Sequence, residues 1–168
     1  MTFTTPLIRT AEQAERRWFS GGGLHTWLVH EGEVGGDFLL FEDDVEPGKS
    51  TPLHTHPEAD ETFYVLAGTI VLHVEGVETE LRAGGVAVVP RTVPHAFLAG
   101  SDGARLLCLH TPGGGEAFYR TASEPARNGE PALPVDFDRI RAAATSTGTM
   151  RIVGPPPFAH AMGASTTG

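Results

Sequence analysis

The chain has 168 residues, the length of one domain, and is long enough to bury a core without staples. Its 12 Lys and Arg stand against 21 Asp and Glu, a formal charge of -9, which argues against nucleic acid or an anionic membrane surface as a partner. The single cysteine, Cys108, rules out an intrachain disulfide; Arg9, Glu12, Glu15, Arg16 and Arg17 stand where a signal peptide would be apolar, and no apolar run reaches membrane-spanning length, so the expected setting is soluble, reducing and cytoplasmic.

In chain order, Thr10 followed by Gln13 has capping-box spacing and predicts a short helix ending near Arg17. Short runs rich in Val, Leu, Phe and Thr follow, punctuated by Gly and Pro, and read as strands over Leu24 to His30 and Asp37 to Val45. Glu42-Asp43-Asp44, ahead of the Pro47-Gly48 turn, reads as a solvated acidic loop. Glu61 to Leu66, Thr69 to Glu75 and Val77 to Leu81 predict a three-strand meander, with tight turns at Ala67-Gly68 and Glu75-Gly76. Within it Ile70, Leu72 and Val74 alternate with Thr69, Val71, His73 and Glu75, so one face meets a core and His73 is solvated.

Val86 to Val89 reads as a buried strand, and His95 to Ala99 and Arg105 to His110 as two more, with Cys108 a small core residue. Gly113-Gly-Gly115 lacks a phosphate-loop lysine and a following helix pattern, and reads as a flexible exit from the last strand. Pro125 to Pro134 is a linker. Asp136 and Asp138 in a first turn, Phe137, Ile140 and Ala144 on one face, and Gly148 as a cap predict a second helix. Pro155-Pro-Pro157 is a stiff extended element before a tail expected to be disordered. The succession is all-β, an antiparallel sandwich or barrel. Residues 1-34 form an extension and first strand, 35-120 the barrel, and 121-168 the linker, C-terminal helix and Pro-rich tail.

The chemistry concentrates in two stretches. In a strand, residues two apart point the same way, so His54 and His56 form a chelating pair, and a turn over Pro57 to Asp60 brings Glu61 back beside them. Gly84-Gly85 turns the chain into Val86 to Val89, and Pro90 and Pro94 bracket a turn that delivers His95. Three imidazoles and one carboxylate suit one divalent transition metal (Fe, Mn, Co, Ni, Cu or Zn), without the thiolates of structural zinc or the oxygen shell of calcium. Phe63 and Phe97 each lie two residues beyond a proposed ligand and share its inward face, as walls of a substrate pocket or as core packing. His25, His30, His73, His110 and His160 have no partner at ligand spacing and read as surface or satisfied core residues.

These stretches resemble the two cupin motifs. Gly48, His54, His56, Glu61 and Gly68 match every position of the first; Gly84, Pro90 and His95 match the second, in which Thr92 replaces a glycine and Ala99 an asparagine. The resemblance covers roughly residues 35 to 112 and implies a double-stranded β-helix, or jelly roll, with a metal held by His54, His56, Glu61 and His95. The spacing, and the Gly-rich segment before Ala117-Phe118-Tyr119, are similar to small single-domain proteins related to quercetin 2,3-dioxygenase. That likeness implies an oxygenase acting on a small aromatic or enolic molecule, with Glu61 both ligand and proton acceptor. Non-oxidative isomerisation or decarboxylation, and non-catalytic small-molecule binding, are the alternatives. The doubly apolar runs Leu106 to Leu109 and Val86 to Val89 suggest an exposed apolar face, and with general experience of such folds a homodimer is expected.

Overall fold

A computed structural model describes residues 5–127 and 132–158. Its strands are β1 (Glu15–Phe19), β2 (Gly23–Val29), β3 (Leu39–Val45), β4 (Leu53–Thr55), β5 (Asp60–Val74), β6 (Val77–Arg82), β7 (Val86–Val89), β8 (His95–Thr111), β9 (Ser123–Pro125) and β10 (Arg151–Gly154), with helices α1 (Glu116–Thr121) and α2 (Phe137–Thr147). The fold is the all-β jelly roll that the sequence predicts.

Two long strands make the barrel. The first half of β5 pairs with the second half of β8, from Asp60↔Thr111 to Gly68↔Ala104; the second half of β5 pairs with the start of β8, from Ile70↔Ala99 to Val74↔His95. The ladder shifts between those stretches, so one hydrogen-bonded sheet folds into two facing halves. One half runs β7, β5, β8, β3, β2, β1, β9; the other runs β10, β4, β8, β5, β6. Between them lies the apolar core, in which Trp27, Leu39, Val65, Ile70 and Leu106 are fully buried.

The meander expected over residues 61–82 is therefore two strands. Its turn at Glu75-Gly76 is present, with φ of 49° and 84°, and joins β5 to β6. Ala67-Gly68 is not a hairpin but the bend in β5. Gly68 adopts φ 73°, and a Cβ there would lie 2.2 Å from the Gly103 carbonyl oxygen, so the close approach of β5 and β8 needs glycine. In the same way His95 to Ala99 and Arg105 to His110 are the two ends of β8.

Other expectations change in the folded chain. The N-terminal helix is a single 3-10 turn over Ala11–Gln13, in which the Thr10 amide donates to Gln13 Oε1 at 2.9 Å. Residues beyond it enter β1, because pairing with β2 and β9 satisfies more backbone than an isolated turn would. The acidic run Glu42-Asp43-Asp44 lies within β3, whose alternation turns Asp43 inward and its neighbours out. Only Val89 of β7 is buried; Val86 and Val88 stand on an exposed outer face beside Tyr64.

Gly113 to Gly115 leads directly into α1, and Ser123–Pro125 of the expected linker adds β9 to β1. Residues 128–131 of that linker, and the tail from 159 onward with His160, fall outside the described residues. The C-terminal helix is as predicted: Asp136 accepts from the Arg139 amide, Gly148 caps at φ 70°, and Ile140 and Ala144 are buried. After it, β10 pairs with β4, and Phe158 packs edge-on to His73, which is thereby largely shielded instead of solvated.

The backbone account yields opposite signs at two sites. Thr92 holds φ 70° where the second cupin motif has glycine, a conformation that strains a β-branched residue. Chemical denaturation should show Thr92→Gly stabilised by about 1 kcal/mol. Gly68→Ala should be destabilised by at least about 2 kcal/mol, since both strain and a backbone clash oppose it.

Candidate metal centre

The two halves of the jelly roll each bring part of one cluster. His54 on β4 pairs directly with His95 at the start of β8, while Glu61 at the start of β5 sits between Val89 and His110 on the opposite half. His56 follows β4, held where the Thr92 amide donates to its carbonyl at 2.9 Å. Asp60, next to Glu61, accepts from the Arg91 backbone amide at 2.8 Å and from its guanidinium at 3.0 and 3.1 Å. The turn that carries His95 and the strand that carries Glu61 are thus tied together outside the barrel.

His54, His56, Glu61 and His95 are all buried, and each offers a ligand atom within 4.8 Å of the others. This is the set that the sequence predicts. Its hydrogen bonds fit a cation. The Nδ1 atoms of His54 and His95 lie 2.8 and 2.9 Å from the carbonyls of Pro52 and Val93, which fixes those nitrogens as donors and turns Nε2 of both rings into the cluster. Glu61 Oε2 lies 2.8 Å from His95 Nε2 and 3.0 Å from His56 Nε2. His56 Nε2 is nevertheless a buried nitrogen with no hydrogen bond of acceptable geometry among the described residues. A buried, orphaned imidazole nitrogen beside a carboxylate and two further inward-turned Nε2 atoms is what a divalent metal would satisfy.

The electrostatics agree. Burial, reinforced by the neighbouring imidazoles, holds His54 well below its ordinary pKa, and burial also lowers His56 although Glu61 opposes it. For His95 the hydrogen bond and charge of Glu61 outweigh burial and raise it. Burial alone would raise Glu61, but His56 and His110 overcome it and hold the carboxylate well below its usual range. The site thus favours neutral His54 and His56 beside an ionised Glu61, the protonation state metal ligation needs, while Glu61 draws a proton to His95 that a bound cation would displace.

Two participants carry no spacing signal. His110 is fully buried, with Nε2 3.2 Å from Glu61 Oε1 and 3.2 Å from the Tyr119 hydroxyl. It reaches Glu61 because the two residues are register partners on β8 and β5, a pairing set by the bends in both strands. Tyr119 comes from α1. The sequence reads His110 as a surface or satisfied core residue and gives Tyr119 no role beyond the Ala117-Phe118-Tyr119 likeness; strand register exposes the first and the docking of α1 the second.

Phe63 and Phe97 do share the inward face, 5.8 Å apart edge-to-face, and with His54 and Glu61 they line a cavity of ≈ 50 Å³. Phe41, Phe118 and Cys108 complete its apolar wall; burial pushes the Cys108 thiol well up, so it stays a neutral packing group.

Residues 41–110 match the cupin domain family. Over 109 residues the chain is 28% identical to quercetin 2,3-dioxygenase of Bacillus subtilis, a stretch of 65% of this chain and 32% of that protein. It is 31% identical over 91 residues to the HTH-type transcriptional regulator PuuR of Escherichia coli, 54% of this chain and 49% of the relative. The matched stretch thus spans 32% to 49% of the length of these curated relatives. Among solved structures, KdgF from Halomonas sp. superposes with TM-score 0.58 at 19% identity, covering 64% of this chain and 94% of that one. An RmlC-like cupin from Shewanella frigidimarina gives 0.57 at 22%, covering 66% and 95%, and both likenesses concern the fold.

Stability without metal should fall on acidification. His54 and His56 have lowered folded pKa values, so the unfolded chain binds their protons first as pH drops below their ordinary 6.5, and folding loses free energy there. His95, raised, opposes this, since its contribution is full below 6.5 and fades as pH rises through its folded value. Glu61 stays ionised throughout that window. With two groups against one, the thermal midpoint in excess chelator should be lower at about pH 5.5 than at about pH 7.5; a midpoint that rises on acidification would contradict the assignment.

Proposed function

We propose, for a chain whose residues 41–110 are a cupin domain, that it is a metal-dependent oxygenase acting on a small aromatic or enolic molecule. The observation that carries this reading is the shared location of the ligand cluster and the cavity: His54 and Glu61 are at once members of the buried cluster and part of the wall against Phe63 and Phe97. The likeness to quercetin 2,3-dioxygenase over 65% of the chain supports the oxidative version.

His54, His56, Glu61 and His95 would hold the ion, and when bound it supplies a Lewis acid that polarises a substrate oxygen and lowers its pKa. The chain's own groups do the rest. Phe63 and Phe97 exclude water and present flat apolar surface to a ring or a conjugated double bond. Glu61, kept anionic by its histidines, accepts the substrate proton at Oε1, the oxygen turned towards His110. His110 Nε2 lies 3.2 Å from that oxygen and from the Tyr119 hydroxyl, so the three groups share hydrogen bonds that position Glu61 and hold the accepted proton within the site. A lone, buried cysteine suits a cytoplasmic setting, and among the described residues no helix is long and apolar enough to cross a membrane.

The test is oxygen uptake by metal-loaded protein over a panel of catechols and enediols, with product analysis in air and under argon. The reading expects uptake that tracks substrate loss, stops under argon, and falls at least about 100-fold in Glu61→Gln at matched metal content. Turnover that continues under argon would replace it with isomerisation or decarboxylation. Saturable binding with no turnover under either gas would make the protein a small-molecule binder.

A further inference from the structure

The cavity has a second polar end that the metal cluster does not use. On the inward face of the β3–β8–β5 sheet, residues stack in three successive rows. Leu39, His110 and Glu61 form the first, Phe41, Cys108 and Phe63 the second, and Asp43, Leu106 and Val65 the third, with His25 paired to Asp43 from β2. The rows read polar, apolar, polar. Four residue steps along β3 separate the outer two, about 13 Å at ~3.3 Å per residue. The Glu61 and Asp43 side chains both line the same cavity, so the apolar middle row is the gap between two polar ends.

His25 and Asp43 are built as a site and not as a closed ion pair. His25 is 1% exposed and Asp43 9%. The His25 ring is fixed, stacked on Phe19 at 4.6 Å and packed against Phe41 at 4.9 Å, so only its edge can hydrogen-bond. That edge approaches Asp43 with Nε2 3.5 Å from Oδ1, too far for a good hydrogen bond. His25 Nδ1 and Asp43 Oδ1 are both buried without a partner among the described residues. Leaving two such groups unsatisfied is costly, and packing alone would favour apolar residues of the same shape.

We infer that His25 and Asp43 are the specificity end of the ligand cavity, reading a neutral hydroxyl group on a ring-sized, otherwise apolar molecule whose other end faces the His54–His56–Glu61–His95 cluster. A hydroxyl both donates and accepts, so one seated beside the 3.5 Å gap can donate to Asp43 Oδ1 and accept from His25 Nε2–H. A cavity of ≈ 50 Å³ holds the equivalent of about four waters, which limits the occupant to a single ring. This inference rests on the cavity being the substrate site, but not on the metal, because the pair lies two rows away from the cluster.

Metal-free protein therefore provides the test, with phenol and toluene as probes of equal shape that differ in the hydroxyl. Nitrogen NMR of protein labelled at histidine should show phenol, and not toluene, shifting the His25 ring nitrogens. Asp43→Leu and His25→Leu should each weaken phenol at least about tenfold, leave toluene within about twofold, and keep the thermal midpoint at or above that of the parent. If phenol leaves His25 unshifted, if the variants weaken both probes alike, or if they unfold, the pair is structural and the inference is wrong. The metal reading fails separately, by metal content, so the two cannot be confused.

Discussion

The Glu61 carboxylate, buried among His56, His95 and His110, is the interaction around which the barrel is arranged. A lone anion this deep would protonate instead of remaining charged. His56 and His110 hold it ionised, His95 hydrogen-bonds its other side, and His56 and His95 belong to the group that can take a metal. Removing one partner from such a set leaves an uncompensated charge, so the cluster demands a fixed backbone around it. The outer Asp60–Arg91 pair, the carbonyls of Pro52 and Val93 that orient two imidazoles, and the Thr92 turn that grips His56 all serve that demand.

The two bends in β5 and β8 turn this local requirement into a fold. Glu61 and His95 lie on different halves of the sheet and meet only because both long strands pass from one half to the other. Gly68 makes that passage possible by allowing the Gly103 carbonyl to approach where a side chain would stand. The glycine that closes the first cupin motif is thus part of the site's architecture although it never touches a ligand.

What could be read from the sequence follows the range of the interactions. His54, His56 and Glu61 lie within eight residues, so strand periodicity aligns the two histidines and the turn after them returns Glu61, although on a strand that pairs with β7 and β8 and not with β4; His95 follows from its bracketing prolines. The helix over Phe137–Thr147 was legible because its cap residues and apolar face are local. By contrast His110, Tyr119, His25 and Asp43 owe their positions to strand register and to the docking of α1, and no spacing rule reaches that far. Asp43 is the instructive case: three acidic residues before a Pro-Gly turn look solvated, yet period-two alternation in β3 buries the middle one. The Ala67-Gly68 turn failed for a related reason, since positive φ marks a bend as readily as a hairpin.

The metal content of the protein is the most direct test of the account. Elemental analysis of protein purified without an affinity tag or added metal should find about one divalent transition metal per chain, absent from a folded His54→Ala/His56→Ala variant. A parent protein free of metal and unable to take any up, or a variant that retains the ion, would contradict the central claim that these four side chains form a metal site.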